Sequence, residues 1–121
     1  MGAQILGLAD GILTVKVTGK LEPRELAEAQ RSAAELIRTG GPIRILVLTE
    51  GFLGWAKSEE WGNLSFQIEN DRWIEKMAVV ADDFWKDLAL MFTGRGLRQF
   101  PVEHFRPSEE DRARIWLAAK E

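Results

Sequence analysis

From Ile12 to Thr18, Leu13, Val15 and Val17 alternate with Thr14, Lys16 and Thr18. This period of two predicts a strand with one face on a core and the other toward water. The branched run Ile5 to Leu8 precedes it, and Ala9-Asp10-Gly11 lies between them. Asp-Gly at that place predicts a tight antiparallel hairpin. After Pro23 the period changes: Leu26, Ala29, Ala33, Leu36 and Ile37 recur at helical spacing until Gly40-Gly41-Pro42, which predicts an amphipathic helix. Ile43 to Leu48 is apolar except at Arg44, the pattern of a parallel strand covered on both faces. The segment Thr49 to Lys57 is too glycine-rich for a helix and unusually apolar for an exposed loop. It is expected to be an apolar loop at the carboxyl end of that strand.

Ser58 is placed to cap a second helix whose Trp61, Leu64 and Ile68 face inward. A strand follows from about Lys76 to Val80. Asp82 or Asp83 then caps a helix with Phe84, Trp85, Leu88, Met91 and Phe92 on its apolar side, stopped by Thr93-Gly94-Arg95-Gly96. Leu97 to Phe100 reads as a last short strand before Pro101, and Ser108-Glu109-Glu110-Asp111 opens a final helix with Ala113, Trp116 and Leu117 inside. The order ββαβαβαβα defines an α/β fold, with an N-terminal hairpin, a mainly parallel mixed sheet of about five strands and about four helices.

The 121 residues are the size of one domain spanning 1–121, long enough to bury roughly two-thirds of the unfolded surface without a disulfide or metal. Sixteen Lys and Arg against nineteen Asp and Glu leave a net charge of −3, which argues against nucleic acid as a partner. No apolar run approaches the roughly 18 to 20 residues needed to cross a bilayer, and Met1 to Leu8 lacks the basic and apolar regions of an export signal. A cytoplasmic protein without integral membrane association is expected.

The chemistry available is sparse. With no Cys, no Tyr and a single His, no thiol nucleophile, zinc-thiolate site or recognisable triad can be assembled. His104 has no Ser or Cys motif beside it and reads as a packing or surface residue. Asp82-Asp83 offers either a magnesium ligand pair or a helix cap, and the cap is the simpler reading. Gly94-Arg95-Gly96 lacks the Lys-Ser/Thr ending of a phosphate loop and reads as a turn. The expectation is a non-enzymatic domain with no cofactor and no metal.

Four pieces of the chain together resemble the SpoIIAA-like branch of the STAS domains, which is also grouped with the CRAL-TRIO lipid-transfer fold. They are Gly11 to Gly19, Gly51-Phe52-Leu53-Gly54-Trp55, Ile74 to Asp82, and Arg98-Gln99-Phe100-Pro101 followed by Ala113-Arg114-Ile115-Trp116-Leu117. The resemblance implies a small α/β domain without known catalysis, whose better-studied relatives bind a kinase partner as anti-anti-sigma factors and are switched by phosphorylation. Their acceptor serine lies in an Asp-Ser-Gly turn after a central strand. This chain carries Thr49-Glu50-Gly51 there, with Ser58 further along, so Thr49 and Ser58 are the candidate phosphorylation sites. For Ser58 the simpler reading is a helix cap.

Of five tryptophans, Trp61, Trp85 and Trp116 fall at core-like helical spacing. Trp55 does not. With Phe52 and Leu53 it lies beyond the carboxyl end of a central strand, where open α/β sheets bind ligands. Phe52, Leu53, Trp55 and Trp61 are therefore the candidate ligand- or partner-binding residues, set against a simple hydrophobic plug. The expected role is a regulatory protein-binding or ligand-binding module, with a binder or carrier of a small apolar or lipid-like molecule as the alternative. A second copy of the chain is a further candidate partner.

Overall fold

The computed structural model describes residues 2–57, 65–94, 98 and 100–119. Asp10 and Gly11, with φ of 55° and 78°, supply the two left-handed residues that a tight hairpin turn requires. They join β1 (Ala3–Ala9) to β2 (Ile12–Leu21) in antiparallel register. The chain continues through α1 (Pro23–Gly40), β3 (Ile43–Trp55), α2 (Ser65–Asn70), β4 (Ile74–Val80), α3 (Lys86–Thr93), β5 (Val102–Phe105) and α4 (Glu110–Ala118). Single 3-10 turns at Asp71–Trp73, Asp83–Trp85 and Pro107–Glu109 lead into β4, α3 and α4.

The sheet has the order β1-β2-β3-β4-β5, and from β2 onward each neighbour is parallel. Every crossover advances the sheet in the same direction, so connections of one hand bring their helices to one face. That face packs Leu13, Ile45, Met77 and Val79 of the strands with Ala33 and Ile37 of α1 and Ala89 and Leu90 of α3. The opposite face is covered by α4, whose Ala113 and Leu117 close over Leu46, Ala78 and Val80. β3 and β4 are thus covered on both sides, as their nearly unbroken apolar runs demand.

Four expectations need correction. The segment after Leu48 is not a loop: β3 continues in register with β2 as far as Trp55. The last strand lies at Val102–Phe105, not before Pro101. Proline lacks a donor but keeps its acceptor, and the Pro101 carbonyl receives the Met77 amide at 3.0 Å, so the ladder starts there and runs to Phe105. Phe100 instead lies buried in the core just ahead of it. On α2, Ile68 points to solvent while Phe66 packs on the core. On α3 the buried residues are Ala89 and Leu90, and Phe84, Leu88 and Met91 are exposed.

Candidate ligand site

Opposite β2, the end of β3 contains two extra residues. Thr18 faces Glu50, but Gly19 faces Phe52, Lys20 faces Gly54 and Leu21 faces Trp55, leaving Gly51 and Leu53 without opposite numbers. Each such bulge inverts the face taken by the side chains that follow. The result is that Val47, Thr49, Phe52 and Trp55 all project to the face occupied by Val15, Val17 and Leu21 of β2. A regular strand would have turned Phe52 away. The bulges depend on glycine: Gly51 and Gly54 have φ of 60° and 101°. At Gly54 a Cβ would also stand 3.2 Å from Cη2 of Trp85, so this strand carries no side chain where the indole approaches.

The re-aimed aromatics pack edge to face. Phe52 lies 5.0 Å from both Trp55 and Trp85, measured between ring centroids, and Trp55 lies 5.9 Å from Trp85 and 5.1 Å from Phe92. These separations and the steep interplanar angles of the Phe52–Trp55 and Trp55–Trp85 pairs, 85° and 82°, are those of favourable aromatic contacts. The cluster forms one end of a cavity of about 780 Å³ between the sheet and helices α1, α2 and α3.

The α1 wall of the cavity is rich in small side chains. Ala27, Ala29 and Ala33 line it beside Leu26 and Gln30, and the alanines fill less of the space above the strands than larger apolar residues would. Val15 and Val47, opposite each other at the middle of β2 and β3, remain only half-buried although both neighbours along the floor, Leu13 and Ile45, are buried. The remaining lining is mostly apolar, with Phe66, Met77, Val79 and Ala89 among it. Such a volume and lining are typical of small-molecule sites.

At the other end the wall is fastened by a buried ion pair. Arg98 donates from Nε and Nη2 to the two oxygens of Asp71, each at 2.6 Å, and from Nη1 to the Thr93 carbonyl at 2.8 Å. Both side chains are about nine-tenths buried, and the guanidinium lies 4.7 Å from the Phe100 ring centroid. A bidentate pair of this kind fixes geometry as well as charge. It ties the turn after α2 to the end of α3.

Of the residues singled out from the sequence, Phe52 and Trp55 meet in this cavity. Leu53 sits on the second bulge, 69% exposed, and does not line it. Ser58 and Trp61 lie outside the described residues. Thr49 lines the cavity, and its hydroxyl donates to the Val80 carbonyl at 2.8 Å, so a phosphate there would remove a bond that joins β3 to β4. His104 Nε2 donates to the Ala81 carbonyl at 2.7 Å, and Asp82 accepts the Phe84 amide at 2.9 Å while Asp83 pairs with Arg106. These groups serve the fold. Among the described residues no cluster of three or more His, Cys, Asp or Glu could hold a metal ion, and no helix is long and apolar enough to cross a membrane.

Sequence reasoning missed Trp85 and Phe92 as cavity residues, treating them as helix core, and missed the Arg98–Asp71 pair. The strand order never reverses, so the cavity lies under the helices on one sheet face and not in a crevice between two halves.

The fold and this site define a single-sheet α/β domain with an apolar chamber on its three-helix face. Residues 12–118 match the family described as SpoIIAA-like, and the chain belongs to that family, a STAS-type domain. Among solved structures it is similar to an uncharacterized protein of the DUF3478 family with a SpoIIAA-like fold from Shewanella loihica PV-4. The identity is 16%, the TM-score 0.66, and the alignment covers 96% of this chain and 93% of that one, which shows a shared fold. No curated protein matches the chain.

Proposed function

We propose that the chain is a non-enzymatic SpoIIAA-like domain that binds or carries a small apolar molecule between its sheet and its three-helix face. The observation that carries this reading is the 780 Å³ chamber floored by half-buried Val15 and Val47. An open apolar cleft of that size leaves much of its lining without packing partners, and an apolar ligand would supply them. The aromatic cluster at Phe52, Trp55, Trp85 and Phe92 supplies rigid contact surface that loses little entropy on binding.

Native mass spectrometry of the protein isolated gently from its own cells tests this directly. Added non-covalent mass is expected, together with a rise in melting temperature when the emptied protein is mixed with its own extracted lipids. Empty protein that no extracted small molecule stabilises would overturn the ligand reading. A regulatory protein-binding role has separate support in the exposed Phe84, Leu88 and Met91 stripe along α3 and the turn before it. Co-purification of a stoichiometric partner, abolished by polar substitution of that stripe, is its test.

A further inference from the structure

The charged residues along the described lining of the chamber are all of one sign. The chain has more acids than bases, yet no Asp or Glu is among the described residues that line the cavity, and the charged groups that do are Arg24 and Arg98. Arg98 is neutralised by Asp71 from behind the wall. Arg24, in the first turn of α1, is exposed and has no carboxylate partner among the described residues. The nearby acid of that turn, Glu25, is already engaged by the Gly2 and Glu22 amides. Arg24 stands three residues beyond Leu21, which pairs with Trp55, so the first turn of α1 that carries it begins at the aromatic end of the cavity. Gln30, two turns further along α1, adds a neutral amide to the same wall.

We infer that the occupant is an anionic amphiphile: a single apolar chain in the chamber, with a carboxylate or phosphate head held by Arg24 at the aromatic end. This rests on the chamber being an apolar ligand site, as proposed above. A fatty-acid-like carboxylate and an alkyl phosphate share the required chemistry, negative oxygens that accept two parallel N–H bonds from one guanidinium. A cationic head would meet Arg24 with no acid among the described lining residues to offset it.

Tryptophan fluorescence and calorimetric titration, below each probe's micelle concentration, distinguish the possibilities. The probes share one chain length: dodecanoate, dodecyl phosphate, dodecanol and dodecyltrimethylammonium. At least one of the two anions is expected to bind tightest, the better of them identifying the head group, and the ammonium weakest. Arg24→Gln is expected to weaken the preferred anion about three- to tenfold, as loss of one partly exposed charge-assisted contact would, and to leave dodecanol unchanged. Added salt should narrow the gap between anion and alcohol, because an exposed charge is screened. If dodecanol binds as well as both anions and Arg24→Gln alters nothing, the head-group inference is overturned and the apolar site stands. If none of the four binds, the apolar site itself falls with it.

Discussion

Gly54 carries two demands at one residue. Its φ of 101° is one that an L side chain tolerates poorly, and its missing Cβ leaves room for the Trp85 indole. Gly54→Ala should therefore cost about 1–3 kcal/mol, read as a lower urea midpoint with unchanged slope, and should shift tryptophan emission because Trp85 must move. An unchanged midpoint and spectrum would show that the second bulge is not held this way in solution. Residue-level chemistry was only partly legible from the chain. Arg44 on β3 and the Glu75-Lys76 pair on β4 stand out as charges within apolar runs. The two cations share a partner far away in sequence: Lys76, 3% exposed, donates to the Trp116 and Ala119 carbonyls at 2.8 and 3.0 Å and lies 5.0 Å from the Trp116 ring centroid. Arg44 donates from Nη1 to the Leu117 and Ala119 carbonyls and from Nε to Glu75 on β4 at 2.9 Å. Two cations from the sheet thus satisfy the free carbonyls at the end of α4, and no pattern within β3 or β4 announces that.

At the scale of elements, period is informative where one face is apolar and ambiguous where two are. β2 alternates cleanly and folds as expected, whereas α3 carries two apolar stripes. Trp85, Ala89 and Phe92 line the chamber, and Phe84, Leu88 and Met91, one position earlier, face outward. Periodicity fixes the helix but not which stripe turns inward. The difference is measurable by chemical denaturation: Leu90→Ala, in the buried core beside the first stripe, should cost about 2–5 kcal/mol, while Met91→Gln should change stability by less than about 0.5 kcal/mol. Comparable losses at both positions would mean that the outer stripe is covered. The end of β3 was illegible for a related reason. Two bulges in six residues destroy the alternation that marks a strand, and the glycines that make the bulges possible resemble those of a loop. Phe52 and Trp55 were still identifiable, because large aromatics beyond a buried strand are unusual whatever backbone carries them.

Across the whole molecule, the sequence order of elements was sufficient for the fold, since parallel strands separated by helices leave few topologies. It was insufficient for the chamber, whose α1 wall is built largely from alanines. The alanines that mark its inner face serve a close-packed helix equally well, and only the half-burial of Val15 and Val47 reveals that the space beneath is open. Apolar surface left facing an open cleft should come at the expense of stability, and the trade can be reversed. Ala27→Leu adds three carbons on the chamber side of α1 without changing helix propensity much. It is expected to stabilise the empty protein by about 0.5–2 kcal/mol, as cavity-filling substitutions commonly do, and to weaken dodecanol and dodecanoate alike, since both tails need the same space. The paired outcome is what matters. Stabilisation with lost binding identifies the void as a ligand chamber kept open against the interest of the fold. Destabilisation with binding intact would mean that α1 already rests on the sheet in solution, and that apolar ligands bind elsewhere.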